Sequence, residues 1–290
     1  MAEWQGKSRG TPLGYRIFVF ILSNFGVYPA YALLTFVATY YVFFSPKTTP
    51  HIISFYTKRI GWGRLKAQWK LYVTYHLLGQ TLIDRVIFSA GLSNKITTTS
   101  PGGIHLEALV NNNEGGILLA SHFGNWGIAA QRLTNYKGSI NVLVYDTEHE
   151  QIRKYLDSVT GGIKFNAIVI KNDLSHIYEI GEALQRKEIV CMTADRYLPG
   201  NRTVSAKFFG EEALFPAGPF QLIKSFKAPY TFVYGIKTDT TSYQLFAVPH
   251  RTIKPETTLQ NIVDDYAQDL ERMVRKKPEQ WFNYFDFWKK

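Results

Sequence analysis

His122 is the residue whose surroundings best suit acid–base chemistry. It directly follows residues 116–121, an apolar run typical of a buried strand, and it precedes residues 125–128, which look like a helix start. An imidazole in that place would stand beside backbone N–H groups that have no acceptor within the helix. A base there can take a proton from a hydroxyl while the amides stabilise an oxyanion. The sequence therefore predicts a proton-transfer site around His122.

The elements that must position this histidine follow from the pattern of apolar runs. Besides residues 116–121, the predicted strands are 140–145, 167–170, 189–194, 230–236 and 243–248. Amphipathic stretches separate the first four, which predicts an α/β fold with a mostly parallel sheet covered by helices. Residues 51–92 have apolar side chains at helical spacing, and Pro199 to Pro219 is predicted to be one long irregular loop.

Two aspartates follow strands of the predicted sheet. Asp195 comes after run 189–194, and Asp146 comes after run 140–145. Because the carboxyl ends of parallel strands meet at one edge, both carboxylates are expected on the same side of the sheet as His122. A second interpretation of Asp195, as a helix N-cap or a turn residue before Pro199, stays open.

The first 45 residues are far more apolar than the rest of the chain. Residues 13–44 predict two helical pieces with a break between Gly26 and Pro29, and the second piece is at the short end of the ~17–25 residues needed to span a bilayer. Basic residues flank the run on both sides, which favours a helical hairpin or an in-plane anchor over a single crossing. An ordinary buried helical pair is the alternative. We expect residues 1–45 to anchor the chain to a membrane and residues 46–290 to form the main domain.

The composition of the chain indicates which classes of partner it can bind. The formal net charge of +10 favours acidic partners, and an aromatic content of 15% favours lipid among them. No nucleic-acid-binding motif accompanies the charge, so nucleic acid is not expected as a partner. Cys191 is the only cysteine, and His105, His149 and His176 lack the spacing of metal ligands. Neither a metal nor a cofactor is expected.

Four blocks of sequence stand out in order along the chain. They are Gly115 to Trp126 around His122, Gly181 to Asp195-Arg196, Lys207 to Gly210 followed by Pro216 to Pro219, and Pro278 to Phe282. In this order, the blocks resemble the motifs of the bacterial lipid A late acyltransferases, a family within the lysophospholipid acyltransferase superfamily. The resemblance implies a glycerolipid-acyltransferase-like fold over residues 46–290.

The resemblance also implies an activity. The family transfers a fatty acyl group from an acyl thioester, on acyl carrier protein or coenzyme A, to a hydroxyl or amine of a membrane glycolipid or other lipid acceptor. The implied place is the cytoplasmic face of the bacterial inner membrane. The basic surface would then serve both an acidic carrier protein and the anionic membrane surface.

Several residues take expected roles from the matched blocks. His122 is the expected general base, and Arg196 is expected to meet a phosphate or carboxylate group of the acceptor. The substrate-binding residues are expected to be Asn125, Trp126, Arg196, Phe209, Gly210, Pro216 and Gly218. The block from Phe209 to Gly218 is expected to form a wall of the acyl groove, or else a loop pinned to the core by its aromatic side chains.

The chain departs from the family pattern at Gly127. The family has an aspartate or glutamate five residues after the histidine, whereas Gly127 offers no side chain. Asp195 or Asp146 could replace that acid, or a backbone carbonyl could orient His122 at reduced rate. In the third alternative the chain is a catalytically inactive lipid-binding or scaffold protein on the same fold. An apolar tunnel that ends beside His122, with a carboxylate within hydrogen-bonding distance of its ring, would favour the enzyme, whereas a filled tunnel or a His122 isolated from solvent would favour the scaffold.

Overall fold

A computed structural model describes residues 12–89, 96–111, 114–128, 139–145, 166–171 and 173–288. Its helices are α1 (Pro12–Phe25), α2 (Val27–Phe44), α3 (Thr49–Ser54), α4 (Arg64–Ser89), α5 (Gly103–Asn111), α6 (Ser175–Gln185), α7 (Ala217–Phe226) and α8 (Leu259–Lys276). Its strands are β1 (Thr97–Thr99), β2 (Gly116–Ala120), β3 (Ile140–Tyr145), β4 (Asn166–Ile170), β5 (Ile189–Thr193), β6 (Thr203–Phe208), β7 (Glu211–Pro216), β8 (Tyr230–Asp239) and β9 (Ser242–Ala247). A π-helical turn at Phe55–Arg59 follows α3, and a 3₁₀ turn at Pro278–Gln280 follows α8.

The main sheet confirms the predicted α/β class. It has seven strands in the order β1-β9-β8-β2-β5-β3-β4, and all neighbours are parallel except β8 and β9. All six predicted strands belong to it, with ends within a few residues of those expected. β2 lies between β8 and β5 and is buried along its whole length, which explains its continuous apolar sequence.

The predicted loop from Pro199 to Pro219 is wrong, because this segment contains an antiparallel hairpin. β6 and β7 pair from Thr203 opposite Pro216 to Phe208 opposite Glu211. Phe209 and Gly210 form the two-residue turn with φ angles of 53° and 82°, the conformation that such tight hairpins require. A phenylalanine at the first left-handed position hides the usual asparagine–glycine or aspartate–glycine signal of this turn. The short polar strand β1 was also not predicted.

The helical N-terminal region follows the predicted pattern closely. α1 ends before Gly26, whose φ is 88°, and Pro29 lies in the first turn of α2, where its missing N–H removes no helical hydrogen bond. The predicted helix over residues 51–92 is interrupted: Gly61, with a φ of 77°, lies between the π-helical turn and α4. In the described part of the chain, α2 is the one helix long and apolar enough to cross a membrane by length and composition.

One face of α2 is packed against the main domain. Val27, Ala30, Tyr31, Leu34 and Ala38 are its buried residues, and Leu34 lies so close to Gly79 of α4 that a Cβ at Gly79 would overlap it. The opposite face leaves large apolar side chains exposed on both α1 and α2. They are Leu13, Ile17, Phe20, Phe25, Tyr28, Phe36, Tyr40, Phe43 and Phe44.

A buried charge cluster joins α2, α4 and the sheet. Lys237 Nζ on β8 lies 2.6 Å from Asp84 Oδ2 on α4, with their side chains 5% and 0% exposed. The hydroxyls of Tyr31 and Tyr243 also donate to the Asp84 carboxylate, so its charge is surrounded by donors. Burial lowers the pKa of Lys237, and the charge of Asp84 opposes that effect. The cluster fixes the N-terminal helices to the sheet.

Replacing Lys237 with methionine is expected to destabilise the fold by about 3–5 kcal/mol, because it leaves the Asp84 charge buried without its cation. Chemical denaturation of the purified protein measures the change in unfolding free energy. Lys207→Met, at an exposed lysine on β6, is the matched control and should lie within about 0.5 kcal/mol of wild type. Equal stabilities for the two variants would contradict the structural role of the buried pair.

Candidate active site

His122 and Asp195 are brought together by the parallel register of β2 and β5. Ala120 at the end of β2 is paired with Thr193 at the end of β5, and Ala194 N donates to Ala120 O at 3.0 Å. Each strand is followed two residues later by a member of the pair. In the same register, His122 Nδ1 lies 2.8 Å from Asp195 Oδ1, and the backbone N–H of His122 donates to Asp195 Oδ2 at 2.8 Å.

The carboxylate of Asp195 is buried, whereas the imidazole of His122 is partly open. Their side chains are 2% and 23% exposed. Burial alone would raise the pKa of Asp195, but the ring and backbone of His122, together with Arg196, hold it below its usual value. Asp195 is therefore an anion at neutral pH and accepts both hydrogen bonds.

This geometry determines the tautomer and the charge of the His122 ring. Because ionised Asp195 can only accept, Nδ1 of His122 must carry a proton, and Nε2 becomes the basic nitrogen of the neutral ring. Burial and the charge of Arg196 lower the pKa of His122, against the opposing effect of Asp195. The ring is therefore neutral at physiological pH, which is the state that a general base requires.

The loop after His122 is fixed by backbone contacts to two other segments. Gly124 N donates to Gln280 O at 2.8 Å, Asn125 N donates to Gly235 O at 2.6 Å, and Phe282 N donates to His122 O at 2.9 Å. Gly124 has a φ of 67°, and a Cβ there would overlap the carbonyl oxygen of Gly235. The loop thus depends on glycine at this position both for its backbone conformation and for the close approach of β8.

The block from Pro278 to Phe282 acts as a clamp on this loop. The side-chain amide of Gln280 accepts from Lys237 N at 2.9 Å and donates to Lys237 O at 2.7 Å, as a strand neighbour would. Trp281 forms a backbone bridge with Phe123 and is buried among aromatic rings, while Glu279 pairs with Lys70 of α4 at 3.1 Å. The sequence showed this block as a motif but gave no indication of its contact with β8.

Asn125 and Trp126 begin the helical turn that follows the loop. Asn125 is buried, and its Oδ1 accepts from Ile128 N at 3.4 Å. Its Nδ2 donates to Thr81 O of α4 at 3.2 Å. Trp126 is half-buried beside Arg85. Both side chains therefore contact α4, and their expected role in substrate binding stays a prediction.

The other expected substrate-binding residues lie in three places. Arg196 follows Asp195, and its guanidinium donates to Phe282 O. Phe209 and Gly210 form the turn of the β6–β7 hairpin, where Phe209 N donates to the Glu271 carboxylate of α8. Pro216 precedes α7, and Gly218 lies within its first turn. Phe208 and Trp281, whose ring centroids are 5.4 Å apart, connect this hairpin to the clamp beside His122.

Asp146 and Gly127 are the two other positions that concern the missing acid. Asp146 lies outside the described residues, so its relation to His122 stays a prediction. Gly127 lies against the side chain of Arg85, a residue of α4 that the sequence patterns did not single out. No spacing signal connects residues 85 and 127, because their contact arises from the packing of α4 beside the loop. Among the described residues, no cluster of three or more histidine, cysteine, aspartate or glutamate side chains could hold a metal ion.

The motifs and geometry agree with comparison to known proteins. A sequence model described as bacterial lipid A biosynthesis acyltransferase matches residues 85–290, and the chain belongs to this family. The resemblance seen in the four blocks is thereby confirmed.

The chain is also similar to a particular curated protein, the phosphatidylinositol mannoside acyltransferase of Mycobacterium tuberculosis. The protein of strain H37Rv is 28% identical over 124 residues, which cover 42% of this chain and 39% of the relative. The protein of the same name from strain CDC 1551 gives the same identity and coverage. The chain thus matches well under half the length of these curated relatives.

Replacing Gly124 with alanine is expected to destabilise the protein more than replacing Gly210. Both glycines have positive φ, but nothing lies within 4 Å of a Cβ at Gly210, whereas a Cβ at Gly124 would overlap Gly235 O. Gly210→Ala should cost about 1–2 kcal/mol from backbone strain alone. Gly124→Ala should cost clearly more, and denaturant unfolding of both variants measures the difference. Equal losses would show that β8 does not restrict the loop.

Proposed function

We propose that the protein transfers a fatty acyl group from an acyl thioester to a hydroxyl of a membrane glycolipid, with His122 as general base. The observation that carries this proposal is the pair of 2.8 Å contacts from His122 to Asp195. These contacts can orient the neutral imidazole, which is the task that the family gives to an acid at the position of Gly127. The alternative of an inactive scaffold gives no reason for a buried carboxylate aligned on that ring.

The proposed reaction uses each member of the pair for a separate task. Nε2 of His122 takes the proton of the acceptor hydroxyl as the oxygen attacks the thioester carbonyl carbon. The carbon–sulfur bond then breaks, and the imidazolium returns the proton to the leaving thiolate. Asp195 holds the Nδ1–H tautomer and stabilises the imidazolium that forms between these steps. The net products are an ester and a free thiol.

The family and the relative narrow the proposed substrates. The family acts in lipid A biosynthesis, and the mycobacterial relative is named a phosphatidylinositol mannoside acyltransferase. Lipid A and phosphatidylinositol mannoside are both membrane glycolipids, so we propose that class for the acceptor. The formal net charge of +10 supports an acidic thioester donor, either acyl carrier protein or acyl-CoA, and an anionic lipid surface. We propose the cytoplasmic face of the bacterial inner membrane as the place of reaction.

His122→Ala is expected to reduce acyl transfer to background, and Asp195→Asn is expected to reduce it by about 10³–10⁴-fold because asparagine no longer fixes the working tautomer. The measurement is transfer of a radiolabelled acyl group from acyl-CoA and from acyl carrier protein into extracted bacterial glycolipid. Asp173→Asn, at an exposed aspartate before α6, should keep full activity. Thermal unfolding of each variant verifies that it is folded.

The outcomes separate the proposed enzyme from its alternatives. Transfer that is insensitive to both substitutions would exclude His122 as the base. Loss in His122→Ala with full activity in Asp195→Asn would leave the backbone or Asp146 as the orienting group. No transfer by the wild-type protein with either donor, together with binding of acyl lipids, would favour the inactive scaffold.

We further propose that residues 1–45 anchor the domain of residues 46–290 by lying in the membrane interface. The packed face of α2 stays on α4, held by the buried contact of Tyr31 with Asp84, so the exposed face is the part available to lipid. Arg16 within α1 is exposed, as are Lys47 and Lys58 after α2. An apolar face bordered by positive charge suits an anionic bilayer surface.

The double substitution Phe36→Asp and Phe43→Asp is expected to weaken binding to vesicles of phosphatidylglycerol and phosphatidylethanolamine at least about tenfold, because it places two charges in the apolar face. Cosedimentation with the vesicles measures the partition. Tyr178→Asp, at a side chain of α6 that is 79% exposed, is the matched control and should bind as wild type. Equal loss in the control, or no loss in the double variant, would contradict this surface.

A further inference from the structure

Arg85 occupies the space beside Gly127, where the family pattern has an acid. A Cβ at Gly127 would stand 2.9 Å from Arg85 Nε, 3.1 Å from Cδ and 3.3 Å from Cγ. These distances are shorter than ordinary van der Waals contact, so any larger residue at position 127 would displace the arginine. Glycine at 127 is therefore the condition that lets Arg85 take its present course from α4 to the loop.

Arg85 is connected to the loop that carries His122. Its Nε donates to Asn125 Oδ1 at 3.1 Å, and its guanidinium carbon lies 5.0 Å from the centre of the Trp126 ring. One turn earlier on α4, Thr81 O accepts from Asn125 Nδ2 at 3.2 Å. α4 thus holds both ends of the Asn125 amide, three residues after the proposed base.

The charge of Arg85 also acts on the site. Arg196 and Asp195, which follow β5, and Arg85 of α4 all act electrostatically on His122. Burial and Arg196 lower the pKa of His122, Asp195 raises it, and Arg85 lowers it further. An acid at position 127 would have had the opposite electrostatic effect.

We propose that Arg85 is a positioning residue for His122, admitted by Gly127, which fixes the loop through Asn125 and Trp126 while Asp195 supplies the carboxylate. Asp195 takes the place of the family's acid, and Arg85 has a separate task. Asp195 orients the ring, and Arg85 fixes the backbone that carries it. This inference rests on the proposed acyl transfer for its activity readout, but it makes a separate claim about the coupling of residues 85 and 127.

A double-mutant cycle tests the coupling, with acyl transfer measured for Gly127→Ala, Arg85→Ala and the combined variant. Gly127→Ala should reduce activity about tenfold because Arg85 must leave Asn125. In the Arg85→Ala background the same change should cost less than about twofold, because nothing remains to displace. Gly63→Ala, where nothing lies within 4 Å of the added Cβ, should be unaffected. Fully additive losses, or full activity in Arg85→Ala, would overturn the proposal.

A second measurement does not depend on turnover. The His122 ring is titrated by NMR in ¹³C-histidine-labelled protein, with its signal assigned by the His122→Asn variant. Arg85→Ala should raise the pKa of His122, because a nearby positive charge is removed. The acidic limb of the activity profile should then move to higher pH by the same amount, since the base must be neutral. A merely structural arginine would leave the pKa unchanged, which would overturn the proposal.

The activity assay and the NMR titration distinguish failure of the proposed acyl transfer from failure of the proposed role of Arg85. If the wild-type protein transfers no acyl group, the proposed function fails, while the NMR titration still decides whether Arg85 acts on His122. If transfer is observed and the Arg85→Ala titration matches wild type, the proposed function stands and the role of Arg85 is lost. Thermal unfolding of each variant separates both results from loss of the fold.

Discussion

The carboxylate of Asp195 joins the ends of the two central strands through a single residue. One oxygen accepts from the backbone of His122 and the other contacts its ring, each at 2.8 Å. A carboxylate buried at 2% exposure is stable only with such donors, because an unpaired charge there would cost several kcal/mol. The register of β2 and β5 therefore does more than align the two strands, because it also brings the donors of His122 to the Asp195 carboxylate. The clamp from Pro278 to Phe282 contacts the same loop through Gln280 O and Phe282 N.

The sequence predicted the centre of the sheet well because β2 and β5 are buried along almost their whole length. Continuous apolar runs such as those of β2 and β5 cannot be satisfied at the surface, so their positions and ends are encoded locally. The β6–β7 hairpin was not predicted because its turn has phenylalanine at the first left-handed position. Its turn is instead held by tertiary hydrogen bonds, from Phe209 N to Glu271 of α8 and from Trp288 Nε1 to Phe208 O. Local patterns do not carry such tertiary determinants.

The site was predictable to the extent that parallel strands share an edge. That rule brought Asp195 and Asp146 forward as candidates for the acid, and the described structure has Asp195 beside His122. The rule could not choose between them, because the order of strands in a sheet is not written in any one segment. It could not indicate Arg85 at all. That side chain belongs to α4, and Arg85 lies 40 residues before Asn125 of the motif in the sequence. There is room for it only because Gly127 has no Cβ.

The position of Gly127 shows why a missing motif residue is weak evidence for lost activity. The physical requirement is a carboxylate that fixes Nδ1–H and balances the imidazolium, and it names no position in the chain. At the carboxyl edge of a parallel sheet, several strand ends lie within reach of one ring, so the acid can come from a neighbouring strand. Because Asp195 lies beside the His122 ring, position 127 is not needed for that contact, and the side chain of Arg85 lies against Gly127. Glycine at this position is therefore compatible with the proposed catalytic pair of His122 and Asp195.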